Sequence, residues 1–339
     1  MRRRDMSRLL LTGMAGAALP CIAHAAPATV NVGYVPFVDI AQLFVMKAEG
    51  WTSQAGINLR LNRFNSGTAL VQALASGMLD ATYMAVSPML VAQAEGIDLK
   101  IVATNGINSV SLLGVGKLPE AFEGSLPPAA AFAKFHQTTG RPAKLVTLPR
   151  GTIPNTALLY YLDTHKVSSN DVQVLVGGAE QVYEELLAQA VDGAAMPEPV
   201  LTILLRRNPK ARILADGAQL MPGQPGFALA VRESLIKMHP EIVQQLVAFN
   251  DQATALIKQN PAQAAKDVLE YMGTGLISPD VMQAALSSPY NPISDDPNLI
   301  IASTETLQNF QVKIGAQSRK LPLEDIFDLS FYNKLKHTA

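Results

Sequence analysis

Residues 57–88, INLRLNRFNSGTALVQALASGMLDATYMAVSP, contain a strand, a helix and a second strand in close succession. Residues 57–64 alternate apolar and polar side chains, which is the period of a half-buried strand. Ser66-Gly67-Thr68 then begins a helix, residues 79–84 form a short apolar strand, and Ser87-Pro88 begins the next helix. This order predicts parallel strands joined by crossover helices, with helices on both faces of the sheet.

The pattern recurs in the second half of the chain. Arg150-Gly151-Thr152 begins a helix in the same way, and Val191-Asp192-Gly193 precedes Pro197-Glu198-Pro199 as Leu79-Asp80-Ala81 precedes Val86-Ser87-Pro88. The repeat predicts an α/β fold of two similar lobes, each a mainly parallel sheet flanked by helices. Because ligands of open α/β sheets bind outside the carboxyl ends of the strands, we expect a ligand in the cleft between the lobes.

Composition excludes several classes of protein. The 339 residues are 48% hydrophobic and only 16% charged, with a formal net charge of −1. A disordered chain or a coiled coil would be more polar, and a nucleic-acid-binding domain would show a basic excess, so no nucleic-acid partner is expected. The length suggests about two units of ordinary domain size.

The N-terminus is typical of a secretory signal peptide. Arg2, Arg3, Arg4 and Arg8 precede an apolar run over 9–21, and Ala23-His24-Ala25 follows as a small-residue cleavage site. The run is too short to cross a bilayer, which needs about 20 residues. We expect cleavage after Ala25 and a periplasmic protein. The poor match after the arginine pair favours the general secretory route over the twin-arginine route. The mature chain then has no cysteine, so neither disulfides nor thiol chemistry is expected.

Three predicted helix starts are candidate anion-binding groups. The start of a helix carries unpaired N–H groups and a partial positive charge, glycine lets a ligand approach the backbone, and hydroxyls add donors. The residues concerned are Gly67, Thr68, Ser87, Gly151 and Thr152. The alternative is that Ser and Thr at these positions are ordinary helix caps, each contributing about 1 kcal/mol to stability.

Four further residues are candidates for the same site. Arg150 is able to pair with an oxyanion or to lie solvated at the surface. Glu198 and Asp39 are each able to accept from a ligand ammonium or hydroxyl, or simply to complement a helix dipole. Phe37 is a candidate apolar wall of the site.

Motifs for catalysis are absent from the sequence. There is no G-x-S-x-G, H-E-x-x-H, Walker A or G-x-G-x-x-G motif, and the histidines lack metal-ligand spacing. We therefore expect no metal, no cofactor and no enzymatic activity.

These residues resemble the periplasmic solute-binding proteins of ABC importers, in the nitrate/sulfonate/taurine-binding family. The resemblance runs over nearly the whole mature chain. It rests on Val32-Gly33-Tyr34, Ala48-Glu49-Gly50-Trp51 with Gly56-Ile57, Asn65-Ser66-Gly67-Thr68 with Leu74 and Gly77, Leu79-Asp80-Ala81, Ala94-Glu95-Gly96, Gly151-Thr152, and Val191-Asp192-Gly193 before Pro197-Glu198-Pro199.

The resemblance implies a periplasmic-binding-protein fold with two crossing strands, at about 110–116 and 227–231. The expected organisation is a signal peptide at 1–25, the first lobe at 26–112, the second lobe at 113–226, and a crossover back with C-terminal helices on the first lobe at 227–339. It also implies a monomer that captures a small oxyanion-bearing solute and delivers it to a membrane permease and its ATPase. By position it points to the site residues named above.

Two departures from the family leave the ligand open among sulfonates, nitrate, other organic acids and pyrimidines. Met196 stands where the family often has an aromatic residue, and residues 127–141 replace a short Lys-rich turn. Two alternative functions also remain: a receptor subunit that presents ligand to a sensor, and an enzyme similar to thiamine-pyrimidine synthases. The second relies on a cysteine-rich motif that the mature chain lacks.

Overall fold

A computed structural model describes residues 27–272 and 277–338 of the chain, so the expected signal peptide lies outside the described residues. Within that part the strands form two five-stranded sheets. In chain order they are β1 (Ala28–Tyr34), β2 (Ile57–Arg63), β3 (Ala81–Ala85), β4 (Lys100–Thr104), β5 (Val110–Gly114), β6 (Ala143–Thr147), β7 (Val172–Val176), β8 (Gly193–Pro197), β9 (Arg212–Ala215) and β10 (Phe227–Val231).

Helices flank both sheets, and short 3-10 turns cover Val38–Ile40 and Pro297–Ile300. The helices of the described residues are α1 (Ala41–Ala48), α2 (Trp51–Gln54), α3 (Gly67–Ala75), α4 (Val86–Ala94), α5 (Leu118–Ala121), α6 (Pro128–Thr139), α7 (Ile153–Thr164), α8 (Ala179–Leu187), α9 (Val200–Arg207), α10 (Gly217–Leu220), α11 (Glu233–Met238), α12 (Pro240–Gln259), α13 (Pro261–Met272), α14 (Pro279–Leu286), α15 (Ile301–Lys313), α16 (Leu323–Ile326) and α17 (Ser330–Thr338).

The first sheet has the order β2-β1-β3-β10-β4 and forms the first lobe with the helices that pack on it. β1 is parallel to β2 and β3, whereas β10 runs antiparallel between β3 and β4. Helix α1 is buried on almost every side, because it lies between this sheet and the helices α12 and α13. Its sequence AQLFVMKA is correspondingly apolar around most of its circumference.

The second sheet, of order β7-β6-β8-β5-β9, forms the second lobe in the same way. β6 is parallel to β7 and β8, and β5 is the antiparallel strand. The sequence therefore predicted the mainly parallel character of both sheets correctly. It did not show that each sheet would contain one strand of opposite direction, which comes from a chain segment that has crossed from the other lobe.

The internal repeat found in the sequence is confirmed by two equivalent aspartates. Asp80 accepts a hydrogen bond at 2.7 Å from the backbone N–H of Asn31 in β1. Asp192 accepts one at 2.9 Å from the backbone N–H of Lys144 in β6, and it also binds both terminal nitrogens of Arg141. Each carboxylate thus hydrogen-bonds the turn before one strand, β3 or β8, to the neighbouring strand, β1 or β6. Their role in the structure is to hold the sheet, so they are not candidates for ligand binding.

Two segments cross between the lobes side by side, before β5 and before β10. The backbone N–H of Asn105 donates to Phe227 O at 2.8 Å, and Gln224 is fully buried, with its side-chain oxygen accepting from Val110 N at 2.9 Å. At Gly226 a Cβ would lie 2.6 Å from Gly106 O, so this close approach of the two backbones requires glycine. The crossing segments therefore pack as one unit on which the lobes can hinge.

The C-terminal helices return to the first lobe. α12 and α13 pack on α1, α17 packs on α12 and β4, and α15 packs against α4 of the first lobe and α7 of the second. The division of the chain into lobe segments at 26–112, 113–226 and 227–339 stays a prediction. Of the helices in the described residues, none is long and apolar enough to cross a membrane.

Candidate binding site between the lobes

The loops that follow β3 and β6 meet at one point between the two lobes, which we call the interlobe contact. Ser87 is fully buried, and its Oγ donates to the backbone oxygen of Gly151 at 2.7 Å. The same Oγ accepts from Nε2 of Gln311, on α15, at 2.6 Å. The hydroxyl therefore joins α4, the start of α7 and α15. Of the predicted site residues, the structure brings Ser87 and Gly151 into direct contact.

Gly151 and Thr152 form the turn into α7. Gly151 has a φ of +85°, a left-handed conformation that favours glycine. Thr152 is the residue that caps α7: its Oγ1 donates to Pro149 O at 2.7 Å and lies 3.5 Å from the backbone N–H of Asn155. The hydroxyl of Thr152 is thus occupied locally. Backbone N–H groups at the helix start are the donors that a ligand could use.

Arg150 is exposed and reaches across to the first lobe. Its guanidinium donates to the backbone oxygen of Ile314, just after the end of α15. Beside it, Lys313 forms an ion pair with Asp163 of α7 at 2.8 Å. These contacts place the Arg150 guanidinium at the edge of the interlobe contact. Because a guanidinium has five N–H donors, the bond to Ile314 leaves others for an anion.

Gly67 and Thr68 lie at the start of α3, where Ser66 is the capping residue and its Oγ accepts from Ala69 N at 3.2 Å. Thr68 is exposed, and a Cβ on Gly67 would lie 4.0 Å from Cβ of Pro88. This helix start is therefore next to α4. The described contacts do not join it directly to the second lobe.

Asp39 lies in the 3-10 turn that follows β1 and is only 6% exposed. Burial raises the pKa of Asp39 to about 6. The Ser109 hydroxyl and the Asp39 backbone N–H act in the opposite direction, and the charge of Glu198 raises the pKa further. Oδ2 of Asp39 has no hydrogen-bond partner. Asp39 thus brings an unpaired carboxylate oxygen from the first lobe to within electrostatic reach of Glu198 in the second.

Glu198 is 2% exposed and well supplied with donors. Its carboxylate accepts from the backbone N–H and the Oγ1 of Thr202, both at 3.0 Å, and also bonds Ser288. Burial raises the pKa of Glu198, while these bonds and the charge of Arg206 lower it. A carboxylate that accepts from the backbone N–H groups of the first turn complements the helix dipole of α9. This arrangement favours the structural interpretation of Glu198 over direct ligand contact.

Phe37 packs against Phe227, the first residue of β10, with ring centroids 5.3 Å apart. Phe37 precedes Asp39 by two residues, so it lies on the same loop after β1. Tyr34, by contrast, is 5% exposed and packs on Phe44 in the core.

Sequence reasoning missed three polar residues of this region. Ser109 bonds Asp39 from the crossing segment, and Gln311 bonds Ser87 from α15. Asn155, in the first turn of α7, is buried with an unpartnered Oδ1. The available signals were weak: Ser109 lies in an Asn/Gly/Ser-rich turn between two strands, and Asn155 interrupts an apolar helix start.

Two other features bear on what the site can hold. Among the described residues no group of three or more His, Cys, Asp or Glu is placed to hold a metal ion. A cavity of about 1010 Å³ opens within the second lobe, between α5, α7, β9 and α10. None of the predicted site residues lines this cavity. The cavity and the interlobe contact are therefore separate places, and the test of function must distinguish them.

Comparison with known proteins identifies the family of the chain. Residues 23–272 match the sequence pattern of the NMT1-like family, which is well over half of the chain. The chain belongs to the NMT1-like family. A Bacillus subtilis (strain 168) relative, whose name describes it as an aliphatic sulfonates-binding protein, is 27% identical over 303 residues, covering 87% of this chain and 85% of the relative.

Solved structures share the fold of this NMT1-like protein. The periplasmic aliphatic sulphonate binding protein SsuA from Escherichia coli superposes with a TM-score of 0.71 at 18% identity, over 90% of this chain and 93% of SsuA. The periplasmic nitrate-binding protein NrtA from Synechocystis PCC 6803 gives 0.69 at 14% identity, over 92% and 89%. These likenesses confirm the two-lobed α/β fold.

The resemblance found in the sequence is thereby confirmed. The proteins described above are named as sulfonate-binding or nitrate-binding proteins. Neither the sensor-receptor nor the thiamine-pyrimidine-synthase alternative gains support from them.

Proposed function

We propose that this NMT1-like protein is the solute-binding component of an ABC importer and that it takes a small sulfonate, or a solute with a related oxyanion, between its lobes. The observation that carries the proposal is the interlobe contact. Ser87 is the second residue of α4, and Gly151 and Thr152 directly precede α7, so the starts of two helices from different lobes converge at Ser87 and Gly151.

Convergent helix starts suit an anion. At the start of α4 the Val86 N–H already donates to Gly226 O and Pro88 has no N–H, which leaves the N–H of Ser87. At the start of α7 Pro154 has no N–H and Asn155 N–H is capped by Thr152 Oγ1, which leaves the N–H of Ile153. An oxyanion held by these two groups and by the partial positive charge of the helix starts would contact both lobes. Removal of the predicted signal would take four arginines and one aspartate from the chain and leave a net charge of −4. Anion capture would then depend on local backbone donors and on the guanidinium of Arg150, not on the overall charge.

A ligand that contacts both lobes would also stabilise their approach. The lobes are joined by two crossing segments and by α15, and a ligand shifts an open–closed equilibrium toward the form it binds better. We propose that ligand binding closes the lobes at the interlobe contact. The closed form would then be delivered to a membrane permease with its ATPase.

Ligand class, partners and location draw on the relatives. One is named for aliphatic sulfonates and another for nitrate, and both solved neighbours described above are periplasmic by title. We propose a sulfonate-like ligand and a periplasmic location, with export by a signal peptide cleaved after Ala25. Genes for a permease and an ATPase beside the gene for this chain would support the importer role.

The direct test is a thermal-shift screen of residues 26–339 against alkanesulfonates, nitrate and simple carboxylates at matched ionic strength. A ligand present at 100 times its dissociation constant stabilises the fold by about 2.7 kcal/mol. For a chain of this size that is a shift of a few degrees in Tm. Titration calorimetry on each hit gives the affinity. If no oxyanion shifts Tm at millimolar concentration, the proposal is wrong.

A further inference from the structure

We infer that two exposed ion pairs form an ionic latch between the lobes, so that ionic strength sets how readily the lobes separate. The pairs are Lys313 with Asp163 and Arg206 with Asp280. The inference goes beyond the proposed function, because it concerns the protein without ligand as well as with it. It starts from the two places where C-terminal helices reach the second lobe.

The first place is the last turn of α15, which lies along α7. Lys313 Nζ donates to both carboxylate oxygens of Asp163, at 2.9 and 2.8 Å. Phe310 packs edge-on against Tyr160, with ring centroids 5.4 Å apart. In each helix the aromatic and the charged residue are three positions apart, so they lie on one face. The ion pair therefore adjoins an aromatic contact between the same two helices.

The second place is α14, which packs against α9. Nη1 of Arg206, in the last turn of α9, donates to Oδ2 of Asp280, in the first turn of α14, at 3.0 Å. α14 belongs to the first lobe, because its buried Met282 and Leu286 join the apolar core that contains the residues of α1. This ion pair therefore also joins the two lobes.

The two pairs hold the second lobe from opposite faces of its sheet. Leu158 of α7 shares an apolar core with Leu145 of β6. Leu204 of α9 shares a different core with Val146, the next residue of that strand. Because successive residues of a strand point to opposite faces, α7 and α9 lie on opposite sides of the second sheet. The lobes therefore cannot separate on either side without breaking one of the pairs.

The exposure of the pairs makes the latch adjustable. The four charged side chains are between 44% and 73% exposed. An exposed ion pair is weak and is screened by salt, so each is expected to favour the closed form by up to about fivefold at low ionic strength and by little at high ionic strength. The buried hydrogen bond between Ser87 and Gly151 is far less sensitive to salt.

Three of the four charges also have a local explanation. Asp280 lies in the first turn of its helix, and Arg206 and Lys313 lie in the last turns of theirs, where each complements a helix dipole. Asp163 has no such explanation, because a negative charge in the last turn of α7 is unfavourable. Its pairing with Lys313 across the lobes offsets that cost, which favours the latch.

The experiment is hydrogen exchange followed by mass spectrometry on residues 26–339 without ligand, at about 20 and about 500 mM NaCl. Asp163→Asn and Asp280→Asn each break one pair. Glu305→Gln is the control, because Glu305 of α15 pairs with Lys320 at 3.5 Å and at similar exposure without reaching the second lobe. The readout is a peptide over the start of α4, which contains none of the substituted residues.

At low salt, Asp163→Asn and Asp280→Asn are each expected to exchange up to about fivefold faster than wild type, since exchange at the start of α4 follows the open fraction. At high salt, wild type is expected to approach both variants, because screening weakens its pairs too. Glu305→Gln is expected to match wild type. The double variant Lys313→Gln with Asp163→Asn is expected to exchange no faster than Asp163→Asn, because both substitutions break the same pair.

Calorimetry with ethanesulfonate at low salt gives a second readout. Asp163→Asn removes a negative charge near the proposed anion site, so attraction through space alone would tighten binding. The latch predicts that binding weakens instead, by up to about fivefold. If ethanesulfonate fails to bind wild type, that result bears on the proposed function alone, and the exchange measurement without ligand still decides the latch.

Three results would overturn the inference: exchange in Asp163→Asn and Asp280→Asn equal to that of wild type at low salt, an increase that persists undiminished at high salt, and an equal increase in Glu305→Gln. Slower exchange in Asp163→Asn would also overturn it, because relief of the unfavourable helix-dipole contact would then outweigh the loss of the pair.

Discussion

Ser87→Ala removes the only atom of Ser87 that joins the two lobes. Its Oγ donates to Gly151 O at 2.7 Å and accepts from Gln311 Nε2 at 2.6 Å. Without it, the carbonyl of Gly151 is left without this donor when the lobes are together. When the lobes separate, water can bind the carbonyl. The loss therefore acts against the closed form.

The magnitude follows from the burial of the carbonyl. A buried acceptor left without its donor costs about 1–3 kcal/mol. Gly151 is half-buried, so the lower figure applies. About 1 kcal/mol corresponds to a roughly fivefold change in an equilibrium constant. When the unliganded protein is mainly open, the apparent ligand affinity weakens by the same factor, since only the closed form binds fully.

The assay is titration calorimetry with a sulfonate found in the thermal-shift screen, together with small-angle scattering. Ser76→Ala is the control, because Ser76 Oγ donates to Ala73 O at 2.9 Å within the end of α3 and makes the same local loss without crossing between lobes. Ser87→Ala is expected to raise Kd about fivefold and to require more ligand for compaction. An unchanged Kd in Ser87→Ala would refute the claim that this hydroxyl stabilises closure.

Three other perturbations test separate parts of the account. Arg150→Ala should weaken ligand binding by at least about tenfold in calorimetry, while the Tm of the unliganded variant stays near that of wild type. If the variant binds ligand as tightly as wild type does, the guanidinium makes only its contact with the protein. Burial raises the pKa of Asp39 to about 6 from its ordinary value of 3.8. Between these two pH values the folded chain still holds the Asp39 proton, whereas the unfolded chain has released it. The free energy of unfolding therefore falls as pH rises through this range. Asp39→Asn removes this fall. Between pH 4 and pH 7 its free energy of unfolding, measured by denaturant titration, should therefore rise relative to that of wild type by up to about 3 kcal/mol. Identical pH profiles for the two proteins would contradict the burial of the Asp39 charge. Gly226→Ala places a Cβ 2.6 Å from Gly106 O and should lower stability by about 1–3 kcal/mol, and an unchanged Tm would argue against tightly packed crossing segments.

The fold could be predicted from sequence wherever burial produced a clear pattern. The strand predicted over residues 57–64 is β2 (Ile57–Arg63), and the helix predicted to begin at Ser66-Gly67-Thr68 is α3, which begins at Gly67. The prediction was less exact over residues 79–84, where β3 covers Ala81–Ala85, and at Ser87-Pro88, where α4 already begins at Val86. Proline marked the first turn of α4 correctly but not its first residue.

α15 shows why other elements escaped prediction. Its buried residues include Ser303, Thr304, Gln308 and Gln311, so the helix has no apolar stripe for a periodicity argument to find. Its buried face is polar because it supplies hydrogen bonds, such as that from Gln308 to Leu321 O at 2.9 Å. The polar character that hides α15 in the sequence is what lets it reach Ser87.

The candidate site was predicted to a similar extent. Parallel strands end on one side of a sheet, so the sequence sufficed to propose the loops at Ser87, Gly151 and Asp39. It could not show that Ser87 and Gly151 touch, or that Arg150 meets Ile314, because these pairs are brought together only by the packing of two lobes. Asp39 has an unpaired oxygen, whereas the carboxylate of Glu198 is supplied with donors, and this difference likewise depends on side chains distant in sequence.

The central claim is that the ligand binds between the lobes, and hydrogen exchange followed by mass spectrometry tests it most directly. The mature protein is compared with and without a saturating sulfonate. We predict slower exchange in both lobes at once, in peptides covering the starts of α4 and α7, with no change over β9 and α10 beside the separate cavity of about 1010 Å³. Protection confined to that cavity, or to one lobe, would contradict a site between the lobes.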